Sequence, residues 1–131
     1  MLSSARSLVR VTVCLALSLH GAVASAQSED SVDTMLVRGG DRAANVVLRG
    51  RFAVPTYEVR ARDEGRLLVI DVAGATSPDD GVELTGHATL VTRTTTSTTA
   101  MGVRAEIELS APVAYRVHAS SGRIELRLEV I

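Results

Sequence analysis

The stretch Tyr57–Val72, YEVRARDEGRLLVIDV, constrains this chain more than any other. Tyr57, Val59 and Ala61 alternate with Glu58, Arg60 and Arg62. That period of two puts apolar groups on one side of an extended backbone and charge on the other. Asp63-Glu64-Gly65 then supplies turn chemistry, because glycine takes positive φ without a Cβ clash. Arg66 to Val72 follows as an almost continuous apolar run, which suits a strand covered on most of both faces. The segment reads as a hairpin with a buried second arm.

An echo returns at Tyr115–Val130, YRVHASSGRIELRLEV. Tyr57, Val59 and Ala61 correspond to Tyr115, Val117 and Ala119, and each hairpin turns at a glycine followed by arginine (Gly65-Arg66, Gly122-Arg123). In the final arm Ile124, Leu126, Leu128 and Val130 alternate with Arg123, Glu125, Arg127 and Glu129. Two copies of one hairpin in a short domain predict an all-β sandwich of two similar antiparallel sheets, built from a duplicated hairpin unit. Chance likeness between two amphipathic hairpins is the competing explanation.

The first 26 residues read as a secretory signal peptide. Arg6 and Arg10 give the positive start, Val11–Leu19 a short apolar run, and Ala24-Ser25-Ala26 an A-x-A site that would release Gln27 as the new N-terminus. The run is too short for a spanning helix, which needs about 20 residues; an uncleaved N-terminal anchor is the alternative. The expected protein is thus a single exported domain over residues 27–131, without a membrane span after cleavage. Its one cysteine, Cys14, leaves with the signal, so the domain has no disulfide to draw on. All its basic residues are arginine. Twelve of them face fifteen acids after cleavage, a formal charge of −3, which argues against non-specific nucleic-acid binding.

Along the rest of the chain, Gln27–Asp33 reads as a polar leader, with short strands over Thr34–Arg38 and Asn45–Arg49. Pro55 sits at a strand start or edge. Ala73–Gly81 is the clearest loop and is expected to join the two halves of the sandwich. Val82–Leu84 is a short strand, Gly86-His87 a kink, and Ala88–Arg93 a strand. Thr94–Thr99 is a polar edge or turn, either a hydroxyl-lined carbohydrate surface or a solvated edge that resists aggregation. Met101–Leu109 is the cleanest amphipathic strand, with Arg104, Glu106 and Glu108 on its wet face.

Catalytic chemistry has no evident carrier. His87 lies in a turn without a carboxylate or second histidine at ligand spacing, and His118 falls on the outward phase of its strand. Glu106 and Glu108 share one face, as solvated pairs commonly do. We expect no catalytic residues, no metal site and no cofactor. With few aromatic rings to stack on sugars, arginine is the better handle for a ligand, because its planar fork matches a carboxylate. Arg60, Arg62, Arg66 and Arg104 are the candidate ligand-binding residues; the competing reading pairs them with nearby acids on a solvated face.

Together, Arg66-Leu67-Leu68-Val69-Ile70-Asp71-Val72, the small loop after it, Val103–Leu109, Pro112-Val113-x-Tyr115 and the Gly-Arg-Ile-x-Leu-x-Leu end resemble the AMIN domain. Members of that family stand at the N-terminus of periplasmic N-acetylmuramoyl-L-alanine amidases and type IV pilus secretins. The proline common after the central strand is absent here (Val72-Ala73-Gly74), and the threonine-rich segment is unusually long. The resemblance implies a β-sandwich of two similar sheets. It also implies a non-catalytic cell-envelope role, binding peptidoglycan or localising envelope machinery. The alternative is a protein–protein adaptor that holds a pilus, secretin or cell-division complex through an edge strand. A small hydrolase is a third, weaker reading.

Overall fold

The computed structural model describes residues 30–131. The expected signal peptide and the Ala26–Gln27 cleavage site lie outside them. Nine strands occur in chain order: β1 (Ser31–Gly39), β2 (Ala43–Arg51), β3 (Tyr57–Arg62), β4 (Leu67–Ala73), β5 (Glu83–His87), β6 (Val91–Thr99), β7 (Gly102–Leu109), β8 (Val113–Ser120) and β9 (Arg123–Val130). They form a five-stranded sheet, β5-β1-β2-β9-β8, and a four-stranded sheet, β3-β4-β7-β6. The two sheets pack as the β-sandwich that the alternating pattern predicts. All strand pairs are antiparallel except β5 on β1, which is parallel. No helix among the described residues is long and apolar enough to cross a membrane.

Alternation accounts for the core. Val46 and Leu48 of β2, Leu68, Ile70 and Val72 of β4, Ala105 and Ile107 of β7, and Ile124, Leu126 and Leu128 of β9 are buried in one aliphatic cluster. Their neighbours in sequence point outward. The connectors are anchored to the same cluster by Phe52, Ala75, Ala88 and Leu90.

The duplication extends beyond the hairpin to a four-strand unit. Hairpin β3–β4 sits at one end of its sheet and hairpin β8–β9 at the matching end of the other. Strand β4 then pairs with β7 as β9 pairs with β2. Registers agree residue by residue: Leu68 faces Ile107 and Ile70 faces Ala105, as Ile124 faces Leu48 and Leu126 faces Val46. Even the irregularities repeat, with a bulge between Val32 and Thr34 in β1 and another between Val91 and Arg93 in β6. The turn contacts are paired too. Gly50 N–H near the end of β2 donates to Gly122 O (3.2 Å), and Leu109 N–H at the end of β7 donates to Arg66 O (2.8 Å). The units β1–β4 and β6–β9 are therefore related by a pseudo-two-fold, and β5 has no counterpart among the described residues.

Several local expectations change. Ser31–Asp33 belongs to β1, not to a loose leader; Ser31 and Val32 are buried because the Ala73–Gly81 loop returns to pair Thr76 with Ser31 and Val32. Gly86-His87 continues β5. Ala88–Leu90 is a crossover whose Ala88 and Leu90 enter the core, and the strand starts at Val91. Thr94–Thr99 is an edge strand. Tyr115 packs against the core and donates to Val59 O at 3.4 Å, joining edge strands β8 and β3, whereas Tyr57 is 36% exposed.

The turn Asp63–Gly65 holds three successive residues at positive φ (55°, 54° and 89°), a conformation that costs non-glycine residues about 1–2 kcal/mol each. Gly50 serves a different need, close approach: a Cβ there would stand 1.8 Å from Ser31 O at the β1 bulge.

Leu126→Ala and its two-fold mate Ile70→Ala should each lower the free energy of unfolding in urea by about 2–5 kcal/mol. Gly50→Ala should cost a comparable amount by pushing β1 and β2 apart. A Gly50→Ala protein as stable as the parent would contradict the packing at the bulge.

Candidate functional site

The four arginines singled out from the sequence do not form one site. Arg60 (β3) and Arg104 (β7) flank Asp71 (β4) on the outer face of the four-stranded sheet. Arg104 Nε donates to Asp71 Oδ1 at 2.7 Å and its Nη2 to Oδ2 at 3.3 Å; Arg60 Nη2 donates to Oδ2 at 2.9 Å. Cross-strand register brings Asp71 directly opposite Arg104, with Arg60 on the diagonal. Beneath them Val69 is almost fully buried although it lies on the outer side, shielded between Arg60 and Glu106 in the same row. Arg66 is spent on the turn, its Nη1 donating to Ser110 O at 3.2 Å. Arg62 is exposed at the end of β3.

The Arg104 hydrogen bonds hold the Asp71 carboxyl below the usual carboxylate range. Burial opposes this, and the charges of Arg104 and then Arg60 add to it. Asp71 in turn raises Arg104. The outer face of this sheet is balanced overall. Arg60, Arg62, Arg93 and Arg104 share it with Glu58, Asp71, Glu106 and Glu108, so little charge is left over for a ligand.

The outer face of the five-stranded sheet differs. Cross-strand rows place Arg49 beside Arg123, and Arg38, Asn45, Arg127 and Arg116 in one line across β1, β2, β9 and β8. Between those rows runs Leu36–Val47–Glu125–His118. Glu125 is the single acid amid five arginines; its side chain is only 15% exposed, and Arg123 (3.6 Å) and Arg127 (3.9 Å) lie on either side. The other acids of this face, Glu83 and Glu129, stand at its margins. Shallow grooves of about 410 Å³ (Arg116, His118, Glu125, Arg127) and 250 Å³ (Arg38, Asn45, Arg49, Arg123) open over the rows.

This face is a cationic plate with a narrow apolar strip, Leu36 and Val47, through its middle. Guanidinium forks in two rows can hold carboxylates or other oxyanions bidentately. His118 is exposed and stands across from Glu125. His87, also exposed, ends β5 opposite Arg38. Among the described residues no three His, Cys, Asp or Glu side chains come together to hold a metal. Sequence reasoning missed this plate because its arginines come from four strands and only pairing brings them together. The alternation of Arg123, Glu125 and Arg127 in β9 was the one local signal of it.

Asp71→Asn should destabilise the protein by about 1 kcal/mol at pH 7. A carboxyl that titrates lower folded than unfolded stabilises fully above its unfolded value, about pH 4. That contribution fades as pH falls through the depressed folded value. The gap between parent and variant should thus close on acidification in denaturant titrations run at several pH values, and a gap that persists unchanged at pH 2 would refute the assignment. Compared with known proteins, the chain matches no family model and no curated protein.

Proposed function

We propose that this protein is a non-catalytic module of the periplasmic cell envelope that binds peptidoglycan through the outer face of its five-stranded sheet. The observation that carries the reading is the arrangement of Arg38, Arg49, Arg116, Arg123 and Arg127 around a single central acid. Peptidoglycan stem peptides present free carboxylates separated by methyl-bearing residues. Two guanidinium rows with an aliphatic strip between them complement that alternation. The AMIN resemblance supports the same role, as does the export signal expected at the N-terminus.

The direct test is co-sedimentation of the purified protein with insoluble sacculi. The protein should pellet at low salt and be released progressively as ionic strength rises. Replacing Arg49, Arg116 and Arg127 together by alanine should weaken binding about tenfold or more, since each removes an exposed charge-assisted contact. Replacing Arg62 and Arg66 should change it little. Protein that stays in the supernatant at both low and moderate salt, or that loses binding equally in both variants, would overturn the proposal.

A further inference from the structure

The pseudo-two-fold leaves one position empty. Strand β6 is the counterpart of β1, bulge for bulge, yet β1 has two strand neighbours and β6 has only β7 among the described residues. The second neighbour of β1 is β5, which runs parallel to it with Glu83 to His87 opposite Thr34 to Arg38. Carried through the symmetry, that site on β6 is the open edge of Arg93–Ser97. We infer that this edge accepts an extended segment of a partner polypeptide, running parallel to β6 as β5 runs along β1.

A second observation points to the same place. In β5, Leu84 is the register partner of buried Met35, so its side chain is directed to the inner side of the sandwich. Leu84 is nevertheless 49% exposed. The reason is the mismatch of five strands over four: β5 overhangs, and no strand among the described residues lies opposite it. An added strand on β6 would fill the place beneath β5 and cover Leu84. The edge itself suits addition. Strand β6 is nine residues long and contains no proline, and its threonines are β-branched strand formers. Main-chain hydrogen bonds would supply affinity, and alternate side chains would supply selection.

The register also specifies the ligand. Its first residue would lie opposite Arg93, whose contact with Glu108 is loose (4.0 Å, both side chains well exposed). An acidic residue fits there. The second and fourth would lie opposite Thr94 and Thr96, facing the interior, where small or aliphatic groups fit. The partner segment is thus an acidic, otherwise uncharged strand with alternate aliphatic residues, a pattern that β5 itself shows in Glu83 and Leu84. The inference is independent of the arginine plate, which lies on the other sheet.

A synthetic peptide with the sequence of residues 81–88 serves as the probe, titrated into isotopically labelled protein and followed by amide NMR. Resonances of Arg93–Ser97 should shift and their amides gain exchange protection. A nitroxide on the peptide N-terminus should broaden Arg93 more than Ser97, and one on the C-terminus the reverse. Leu84→Ser in the protein should weaken binding about fivefold, as expected for half-covering a leucine. Absence of shifts would overturn the inference. So would shifts confined to β1, β3 or β8, reversed polarity of broadening, or β6 protection that depends on protein concentration alone, which marks pairing between copies.

Discussion

Everything in this molecule depends on two aliphatic sheet faces covering one another. The described residues contain no cysteine and three aromatic rings, of which only Phe52 is fully in the core. Leucine, isoleucine and valine from β2, β4, β7 and β9 must therefore supply the interior with no covalent help. Those four strands are central in their sheets, so each inner side chain is flanked by neighbours on both sides and capped from across the sandwich. The edges can then be spent on other things. Strand β6 has threonines where its counterpart β1 has Met35 and Val37.

The two outer faces show how one backbone plan acquires two electrostatic characters. In the four-stranded sheet each arginine on the surface has an acid within its own or an adjacent row, and Asp71 joins three strands through two of them. Such a lattice stiffens the face and leaves it nearly neutral. In the five-stranded sheet the corresponding rows are filled by arginine on both sides of a pair. Glu106 of β7 has Val47 as its two-fold mate, and Glu108 has Arg49. Glu58 and Asp71 likewise have Arg116 and Arg127 as their mates, so exchange of acid for arginine at three equivalent positions helps turn a self-satisfied face into one with unspent positive charge.

Much of the fold was legible because period two is a strong signal where one face is dry. Both hairpins, the Met101–Leu109 strand and the sandwich class follow from it. The larger repeat was hidden because Met35 and Val37 on one side correspond to Thr94 and Thr96 on the other, which removes the apolar match while keeping the geometry. Strand β5 runs on through Gly86, which in the sequence looks like a break. Its φ of +87° and the closeness of Val37 O explain why glycine is required inside that strand. Arg60 and Arg104 alternate with apolar residues and so fall on an outer face. Their common partner and the opposite plate depend on cross-strand register, which no local pattern encodes.

The interleaving of the halves has a kinetic meaning. Each sheet takes one hairpin from β1–β4 and one from β6–β9, so a chain divided in the Gly74–Val82 connector would yield two pieces, neither holding a complete sheet. The inner pairs β2–β9 and β4–β7 close only when residues far apart in sequence meet, and the loop entropy of that meeting comes due before any core forms. Such a chain collapses late and all at once, on the slow side for its length, and comes apart as a single unit rather than by shedding a half.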